Sequence, residues 1–229
     1  PAGLVKIDWR HGTTSGELRA RTFDVVHGSF SYELQVDANQ PDMRSPRVIA
    51  YAANRFLAVW EQSLNGVYGL RAKRGDAANW ALNSIRVDAR SESVSGAQLL
   101  IGPNNTALAA WQQADRLFVS RWAEATGNWS QPLEVGAGLS GVARELRAAG
   151  DATGSAIVVW TQRQQTGDDL YYALVAAGMP SVTAPTLLEV GSGSVDSPSV
   201  AMNAGGAAVV AWRQAGSQTL PDVVARVAR

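Results

Sequence analysis

The stretch that decides the fold reads Gly154-Ser-Ala-Ile-Val-Val-Trp160-Thr-Gln162, an apolar run that leads into a tryptophan and closes on a glutamine. Four other stretches of the chain match it, the first of them weakly. They read Gly3-Leu-Val-Lys-Ile-Asp-Trp9-Arg-His11, Arg55-Phe-Leu-Ala-Val-Trp60-Glu-Gln62, Thr106-Ala-Leu-Ala-Ala-Trp111-Gln-Gln113 and Gly206-Ala-Ala-Val-Val-Ala-Trp212-Arg-Gln214. The tryptophans follow one another at intervals of 49 to 52 residues, and one apolar segment in each such period indicates a repeat architecture.

The composition is that of a globular chain without a strong charge. Of the 229 residues, 46% are hydrophobic and 17% are charged, which is enough apolar material for a core. A unit of about 50 residues buries its faces only against its neighbours, so we predict a single domain over residues 1–229. Lys+Arg and Asp+Glu both number 20, and a chain of zero net charge has no basic field to attract nucleic acid. No run approaches the roughly 18 apolar residues of a membrane span, so we expect none.

Cysteine and histidine offer little material for a metal centre. The chain has no cysteine, which excludes disulfides, thiolate metal sites and cysteine nucleophiles. Its two histidines, His11 and His27, form no His-x-x-His or His-Glu pattern, so a zinc site is not expected. The sequence therefore predicts no metal site and no cofactor.

Each unit between successive tryptophans is predicted to contain four short strands. The first is apolar, the second carries the tryptophan, the third follows a polar loop, and the fourth opens with an aromatic residue in most units. The turns between first and second strands are rich in Gly and Asn, which tolerate the positive φ of tight hairpins. No segment shows helical periodicity. These features predict an all-β fold, namely a β-propeller of about five four-stranded antiparallel blades, with a repeated sandwich as the structural alternative.

The strand count leaves both ends of the array short. We place the first strands at residues 46–51, 98–101, 145–149 and 198–202, so the unit around Trp9 has none. The last unit stops after a third strand, Val223 to Val227, so the five units contain three, four, four, four and three strands. We expect terminal blades that are short, that complete one another, or that belong to a longer array. Because an unpaired edge strand attracts a partner, we also expect self-association through the terminal strands.

Two segments are similar to a known repeat. Trp129-Ser-Gln-Pro132 and Asp151-Ala-Thr-Gly-Ser-Ala-Ile-Val-Val-Trp160 resemble the sialidase-like (BNR-type) propeller repeats of bacterial secreted proteins. Those repeats carry an Asp-x-x-Gly-like turn, a strand ending in tryptophan and a Gly-Trp-Ser-x-Pro-like segment. The turn is complete in one unit, whereas the others have Asn54, Asn105 and Asn203 near the equivalent position. The resemblance implies a propeller scaffold and an exported protein that is periplasmic, secreted or held at the cell surface.

The resemblance does not extend to catalytic motifs. Sialidases of this superfamily use an arginine cluster for the substrate carboxylate, a Tyr–Glu nucleophile pair and an acid Asp. The chain has no Arg-Ile-Pro-like segment, so we assign no catalytic residue. The acids of the fourth strands are irregular, since Glu134 and Glu189 align with each other while Arg86 stands at the equivalent position of the second unit. We therefore expect no hydrolase activity.

Three tryptophans are the candidate ligand-binding residues: Trp80, Trp122 and Trp129. Trp80 and Trp129 open fourth strands, as Phe30 does in the first unit, and an amphipathic ring near a rim is favoured at binding surfaces. The alternative is an aromatic clamp on an edge strand. Trp122 has no counterpart in the other units, which favours a specific contact over a shared packing role.

The features that repeat are better explained by packing. The regular tryptophans lie in apolar strands, so we predict rings buried between blades, with sugar stacking as the alternative. The Gln two residues further on, replaced by His11 in the first unit, lies on the same strand face and is expected to satisfy loop backbone groups. A third series is predicted to stack on a neighbouring tryptophan or to pair with a carboxylate between blades, with binding of acidic ligands as the alternative. It consists of Arg21, Arg71, Arg121 and Arg226.

The favoured function is a non-enzymatic, exported bacterial module that binds a carbohydrate or a protein through loops on one face. One alternative is a divergent sialidase-like glycoside hydrolase, and another is a structural repeat of a larger surface protein. A convergent set of carboxylate, Tyr and Arg side chains in the central funnel would distinguish the hydrolase from the binding module.

Overall fold

The computed structural model describes an all-β chain. It describes residues 3–10, 16–24, 27–40, 42–76, 78–89, 91–165, 167–178, 181–190, 193–215 and 222–228, the side chains of 3–10, 16, 38–40 and 222–228 excepted. These residues contain no helix, as the missing helical periodicity predicts. No helix long and apolar enough to cross a membrane is therefore found among them. The chain divides into two compact units, residues 1–101 and 102–229, and the single-domain assignment stays a prediction.

The first two antiparallel sheets lie in the first unit. The first sheet contains β1 (Gly3–Arg10), β2 (Gly16–Asp24), β3 (Ser29–Phe30) and β4 (Leu34–Gln40). In it β1 pairs with β2, and β3 and β4 pair in succession with the other side of β2, so they share one position. The second sheet contains β5 (Met43–Ala52), β6 (Arg55–Leu64), β7 (Val67–Asp76) and β8 (Ile85–Arg86), paired in that order.

Three further antiparallel sheets follow. The third contains β9 (Val94–Gly102), β10 (Thr106–Gln113) and β11 (Arg116–Ala123), with β12 (Asn128–Trp129) and β13 (Leu133–Val135) sharing the position beside β11. The fourth contains β14 (Val142–Gly150), β15 (Ala156–Arg163), β16 (Asp168–Val175) and β17 (Thr186–Leu187). The fifth contains β18 (Val195–Met202), β19 (Ala208–Gln214) and β20 (Asp222–Ala228). Among the described residues the sheets have three, four, four, four and three strand positions, as predicted.

The first strands of the second to fifth sheets share one irregularity next to the tryptophan strand, and the register shows it as a bulge in the second, fourth and fifth sheets. In the second sheet, Arg44 pairs with Glu61 and Arg47 with Val59, so two residues of β5 oppose Trp60 alone. The same shift occurs opposite Trp160 and Trp212. One residue in each of these strands has a positive φ, which is the backbone of a bulge whose first residue is left-handed. These residues are Ser45 (53°), Gly96 (64°), Glu145 (49°) and Ser197 (53°).

The fourth strands are short or interrupted, where the sequence predicted continuous ones. In the third sheet, the backbone N–H of Arg121 donates to the Ser130 hydroxyl at 3.0 Å instead of to a ladder carbonyl. Pro132 then follows, which has no N–H to donate to a ladder. The N–H groups of Thr22 and Leu174 donate in the same way to Ser31 and Thr183. A hydroxyl directly after the residue that opens the strand thus replaces a backbone bond and splits the strand.

Two Asx turns join the first and second strands of the fourth and fifth sheets. Asp151 Oδ1 accepts the backbone N–H groups of Thr153 and Ser155, both at 2.9 Å. Asn203 Oδ1 accepts those of Gly205 and Ala207, both at 3.0 Å. Asn and Asp therefore form the same turn. The first residue of the predicted Asp-x-x-Gly-like turn thus has a structural role, which either side chain can fill.

The core consists of separate clusters between neighbouring sheets. In the first unit, residues of the first sheet pack on residues of the second, with Trp80 against them. This cluster contains Leu18, Ala20, Val36, Met43, Ala58 and Trp60, flanked by Val48 and Trp80. In the second unit, an analogous cluster joins the fourth and fifth sheets. It contains Ile157, Val159, Leu170, Leu188, Val195, Ala208, Val210 and Trp212.

Candidate functional site

The regular tryptophans are packing residues. Trp60, Trp111, Trp160 and Trp212 are buried, which confirms the prediction for these four. Each indole N–H donates to the side-chain oxygen of the Gln two residues further on, at 3.3, 3.3, 2.9 and 3.1 Å in chain order. The side chains of Trp9 and His11 lie outside the described residues.

One of these glutamines, Gln162, links the tryptophan strand to a loop, as predicted, and also accepts the indole bond. The Gln162 amide donates to the Ser140 carbonyl at 2.9 Å while its oxygen accepts from Trp160. The sequence analysis found the loop role and missed the indole as partner. The signal was present, because residues two apart share a strand face and a buried indole N–H needs an acceptor.

Trp122 and Trp129 are brought together, and Trp122 is buried. They pair in register across β11 and β12, and only 1% of Trp122 is exposed, so its ring presents no free face to a ligand. Trp129 is half-buried. In the first sheet, Phe30 is half-exposed and its ring centroid lies 4.9 Å from that of Phe23. Ligand binding by Trp122 and Trp129 stays a prediction, and their geometry is that of a cross-strand aromatic pair.

Trp80 lies in a cleft of the second sheet. The cleft has a volume of about 470 Å³ and opens where the β5–β6 hairpin meets the end of β7. Trp80 forms an isolated bridge with Gly75 and is half-buried. We call this the Trp80 cleft. Its lining includes Tyr51, Asn54, Arg55, Arg74, Asp76, Asn79 and Trp80.

Gly75 determines how the Trp80 ring lies. A Cβ at Gly75 would come within 2.5 and 2.7 Å of two ring carbons of Trp80, so the ring rests directly on the glycine backbone. In the third sheet the residue at the equivalent register is Trp122, which pairs with Trp129. The glycine thus lets Trp80 lie against the strand where a side chain would lift it away.

The charged side chains of the Trp80 cleft differ in whether they already have hydrogen-bond or ion-pair partners. The Asp76 carboxylate accepts the backbone N–H groups of Ala78 and Asn79 at 2.8 and 2.7 Å. These bonds, with the nearby Arg55 charge, hold the pKa of Asp76 below its usual value. Among the described residues Arg74 is exposed and makes no ion pair. The cleft therefore offers an aromatic ring, one free guanidinium and amide groups, a combination that suits a polar ligand with an apolar face.

The indole N–H of Trp80 differs from those of the regular tryptophans. It is buried and has no acceptor among the described residues, whereas each regular tryptophan donates to its Gln. An unpaired buried donor costs roughly 1–3 kcal/mol and calls for an explanation. A role in ligand binding is one such explanation, because a tryptophan that serves only packing is expected to have an acceptor for its indole N–H.

The arginine series predicted for the third strands is not one series. Arg71 pairs in register with Trp60, whereas Arg121 pairs with Leu108, three positions before its tryptophan. The position equivalent to Arg121 in the second sheet is Arg74, which lines the Trp80 cleft. The sequence alignment of Arg71 with Arg121 was therefore wrong.

Two members of that series, Arg121 and Arg21, have structural partners of different kinds, whereas the buried Nε of Arg71 has none among the described residues. Arg121 is buried and donates to the carbonyls of Gly154 and Ala176 at 2.9 and 3.0 Å, so the expected tryptophan or carboxylate partner is wrong for this residue. Burial lowers its pKa. Arg21 pairs at 3.4 Å with Glu33 of its own sheet, whereas the predicted carboxylate partner was one between blades. The Arg226 side chain lies outside the described residues.

A second polar cluster lies at the opposite end of the second sheet, and we call it the Arg44 cluster. The Arg44 guanidinium lies 3.5 Å from the Tyr68 ring centroid, and its Nε donates to Glu61 at 2.7 Å. The Tyr68 hydroxyl donates to Asp42, and this bond is the largest of the causes that raise the pKa of Tyr68. Glu61 is 1% exposed, and one of its oxygens has no partner among the described residues. Tyr, Arg and two carboxylates thus converge here.

The acids of the fourth strands hold the third strands in place. Asp88 accepts the backbone N–H of Leu70 at 2.7 Å, and Glu189 accepts that of Leu170 at 2.9 Å. Glu189 therefore corresponds to Asp88, and its predicted alignment with Glu134 was wrong. Burial raises the pKa of Glu189. Within the described chain, no three His, Asp or Glu side chains are grouped as metal ligands.

Comparison with solved structures places this geometry on a known scaffold. An α-L-arabinanase from Penicillium chrysogenum, complexed with arabinobiose, matches 99% of this chain and 71% of its own at 12% identity and a TM-score of 0.57. An intramolecular trans-sialidase from Ruminococcus gnavus, in complex with oseltamivir carboxylate, matches 92% and 50% at 10% identity and 0.55. The leech intramolecular trans-sialidase matches 93% and 36% at 13% identity and 0.54.

These matches establish the scaffold and no more. All three are β-propeller folds, so the predicted resemblance to sialidase-like propellers is confirmed as a structural one. The chain spans half or less of the length of the two trans-sialidase structures. No protein-family model matches the sequence, and no curated protein is significantly similar to it. At such low identity the fold carries no assignment of activity.

Proposed function

We propose that the five sheets are the blades of an exported β-propeller that binds a carbohydrate, without hydrolysing it, in the Trp80 cleft. The observation that carries the proposal is the cleft itself: a half-buried tryptophan on a glycine, surrounded by arginine and amide side chains. A sugar presents an apolar face and a rim of hydroxyls, which match the ring and the polar groups. The carbohydrate complexes among the structural neighbours are consistent with this class of ligand.

A glycan array tests the proposal with two variants beside the wild type. Trp80→Ala removes the stacking ring, and we expect it to abolish binding to the glycans that the wild type retains. Phe30→Ala is the matched control, because Phe30 also opens a fourth strand and is exposed outside the cleft. Loss of binding in both variants, or in neither, would count against the Trp80 cleft.

The Arg44 cluster supports a second candidate function, a divergent glycoside hydrolase. Its Tyr68, Glu61, Asp42 and Arg44 side chains are the residue types expected of a hydrolase, and the criterion further requires that they face the central funnel. Burial and the Arg44 ion pair leave Glu61 little access to a substrate, which favours the binding function. Turnover of a fluorogenic sialoside or arabinofuranoside that Tyr68→Phe abolishes would select the hydrolase.

Export and association remain part of the proposal. Export to the periplasm, the medium or the cell surface rests on the resemblance to repeats of secreted proteins and is tested by fractionation of the source cells. A protein ligand, a structural role in a larger surface protein and self-association through the terminal strands are the remaining predictions. Sedimentation of the purified chain over a range of concentrations tests the last of them.

A further inference from the structure

The third and fourth sheets carry different residues at one position of their third strands. Arg121 pairs with Leu108 and Leu174 with Ile157, and each of these partners lies three residues before the tryptophan of its strand. In both sheets the backbone N–H at this position donates at 3.0 Å to a hydroxyl near the start of the fourth strand. Leu174 therefore occupies in the fourth sheet the position that Arg121 occupies in the third.

The guanidinium of Arg121 shows what this position can hold. One of its N–H groups donates at 2.9 Å to the carbonyl of Gly154, which lies in the turn between β14 and β15 of the fourth sheet. Gly206 has the same place in the fifth sheet. The backbone N–H of each glycine donates to the carbonyl three residues before it, and the two φ values are 89° and 85°. The Gly206 carbonyl is thus the acceptor that corresponds to the Gly154 carbonyl.

Leu174 and Gly206 line a cleft between the fourth and fifth sheets, which we call the Leu174 cleft. It has a volume of about 410 Å³, and Tyr172 and Met202 also line it. Among the described residues no charged side chain lines this cleft, and Leu174 is 44% exposed, which is unusual for a leucine beside a core cluster. A leucine is shorter than an arginine, so the space between this position and its corresponding acceptor is open.

A negative charge and an aromatic ring border the cleft. A Cβ at Gly206 would lie 3.4 Å from Oδ2 of Asp151, so this carboxylate lies next to the corresponding acceptor. Its other oxygen, Oδ1, accepts the N–H groups of the Asx turn. A carboxylate and a tyrosine ring such as that of Tyr172 both attract a cation, whereas Leu174 and Met202 suit an apolar stem. The cleft therefore matches a group that is cationic at one end and apolar along its length.

We propose that the Leu174 cleft binds a small molecule that carries a guanidinium group on a short apolar stem. The guanidinium donates to the Gly206 carbonyl, as that of Arg121 donates to Gly154, and the Asp151 carboxylate balances its charge. A guanidinium is more weakly hydrated than an ammonium, so it enters a mostly apolar cleft at a lower desolvation cost. All these residues belong to the second compact unit, so the site is independent of the Trp80 cleft in the first.

Three related compounds test the proposal on the wild-type chain. Butylguanidinium carries the charged group and the stem, butylurea keeps the stem and the planar shape without the charge, and guanidinium keeps the charge without the stem. We expect butylguanidinium to shift the amide NMR signals of Leu174 and Gly206 in a saturable manner, and the other two compounds to bind about tenfold more weakly. Equal affinity for butylguanidinium and butylurea, or no saturable shift at millimolar butylguanidinium, would overturn the proposal.

Free alkylguanidines and the arginine side chains of polypeptides share this chemical group. Nα-acetylarginine methylamide distinguishes the two sources, because it adds peptide groups to the same side chain. We expect it to bind no more tightly than butylguanidinium, since the proposed contacts end with the stem. Binding that is tighter by about tenfold or more would show a peptide ligand and contradict the small-molecule site.

Two variants locate the site. Leu174→Arg places at this position the side chain that the third sheet has there, and we expect it to occupy the cleft and weaken butylguanidinium binding by about tenfold or more. Leu187→Arg is the matched control, because Leu187 is an exposed leucine of the same sheet that does not line the cleft. It adds the same charge and should leave binding unchanged. Equal effects of the two variants would contradict the proposed location.

Asp151→Asn tests the charge without loss of the turn, because Asn203 forms the same Asx turn in the fifth sheet. We expect this variant to bind butylguanidinium about threefold to tenfold more weakly and butylurea as the wild type does. Undiminished binding of butylguanidinium would show that the carboxylate does not balance its charge and would count against the proposal. The comparison of the three compounds uses the wild-type chain, so it gives its answer even if a variant fails to fold.

Discussion

At the scale of the residue, the unit that repeats is a tryptophan with its own acceptor. In each of the four repeated tryptophans whose side chains are described, the indole N–H donates to a Gln two positions along the strand. A large ring can be buried at little cost when its polar atom is satisfied by a neighbour on the same strand. The Trp-x-Gln spacing thus explains why these rings are core residues and Trp80, which lacks such a Gln partner, is the candidate for function.

Trp111→Ala should lower the free energy of unfolding by about 3–5 kcal/mol, the range for truncation of a buried large aromatic side chain. Trp111 is fully buried, and its ring lies 6.1 Å from that of Phe118. Urea denaturation measures the change, with Trp129→Ala as a half-buried control that should lose less. A loss below about 1 kcal/mol would show that the ring is not a core residue.

Gly75→Ala should displace Trp80 and close its cleft to ligand. The added methyl group would lie within 2.5 Å of the Trp80 ring, so either the ring or the strand must move. We expect a destabilisation of about 1–3 kcal/mol, typical of overpacking, together with loss of glycan binding. Gly205→Ala is the control, because a Cβ there meets no atom closer than 3.5 Å and the φ of Gly205 is not left-handed. Unchanged binding by the Gly75 variant would show that the ring position does not matter.

At the scale of the element, the bulge of the first strand explains where the sequence analysis fell short. The predicted first strands begin at residues 46, 98, 145 and 198, within one or two residues of the bulge, whereas the observed strands begin three or four residues earlier. An extra residue inverts the alternation of inward and outward side chains, so the segment before it is out of phase with the segment after it. A period-two pattern cannot extend across that point.

The bulge also provides a stability test. Ser45→Gly should raise the free energy of unfolding by up to about 1 kcal/mol, because a left-handed φ costs an L residue about 1–2 kcal/mol. The greater conformational entropy of glycine in the unfolded chain offsets part of this gain. Gly96→Ala should lower it by about 1 kcal/mol, since a Cβ there meets no atom within 4 Å and the change acts through φ alone. Thermal denaturation of the two variants measures both changes in the free energy of unfolding. Shifts of the same sign would contradict a shared bulge conformation.

Unequal hairpins explain why the arginine series was misaligned. The turn after β6 lies at Asn65-Gly66, five residues beyond Trp60, whereas the turn after β10 lies at Ala114-Asp115, three residues beyond Trp111. Residues at the same sequence distance from the tryptophan therefore occupy different register positions in the third strands of the two sheets. Only the register shows that Arg74, and not Arg71, corresponds to Arg121.

At the scale of the whole molecule, the sequence predicts the scaffold and only part of the site. The all-β class, the strand numbers of the five sheets and the buried tryptophans follow from a period near 50 with one apolar strand in each unit. Trp80 follows from its place at the opening of a fourth strand. The cleft around it does not, because it depends on the tip of the β5–β6 hairpin meeting the end of β7. The absence of a counterpart in the other units predicts a specific contact for Trp122, yet residues 117–122 of β11 are buried on both faces of the strand, so its ring is buried as well.

The most direct measurement for the carbohydrate-binding proposal is a crystal structure of the chain grown with the strongest ligand from the glycan array. The account predicts an intact glycan with one sugar ring on Trp80 and a polar or acidic substituent near Arg74. A glycan bound at the Arg44 cluster, or one cleaved there beside Tyr68 and Glu61, would contradict the account and select the hydrolase.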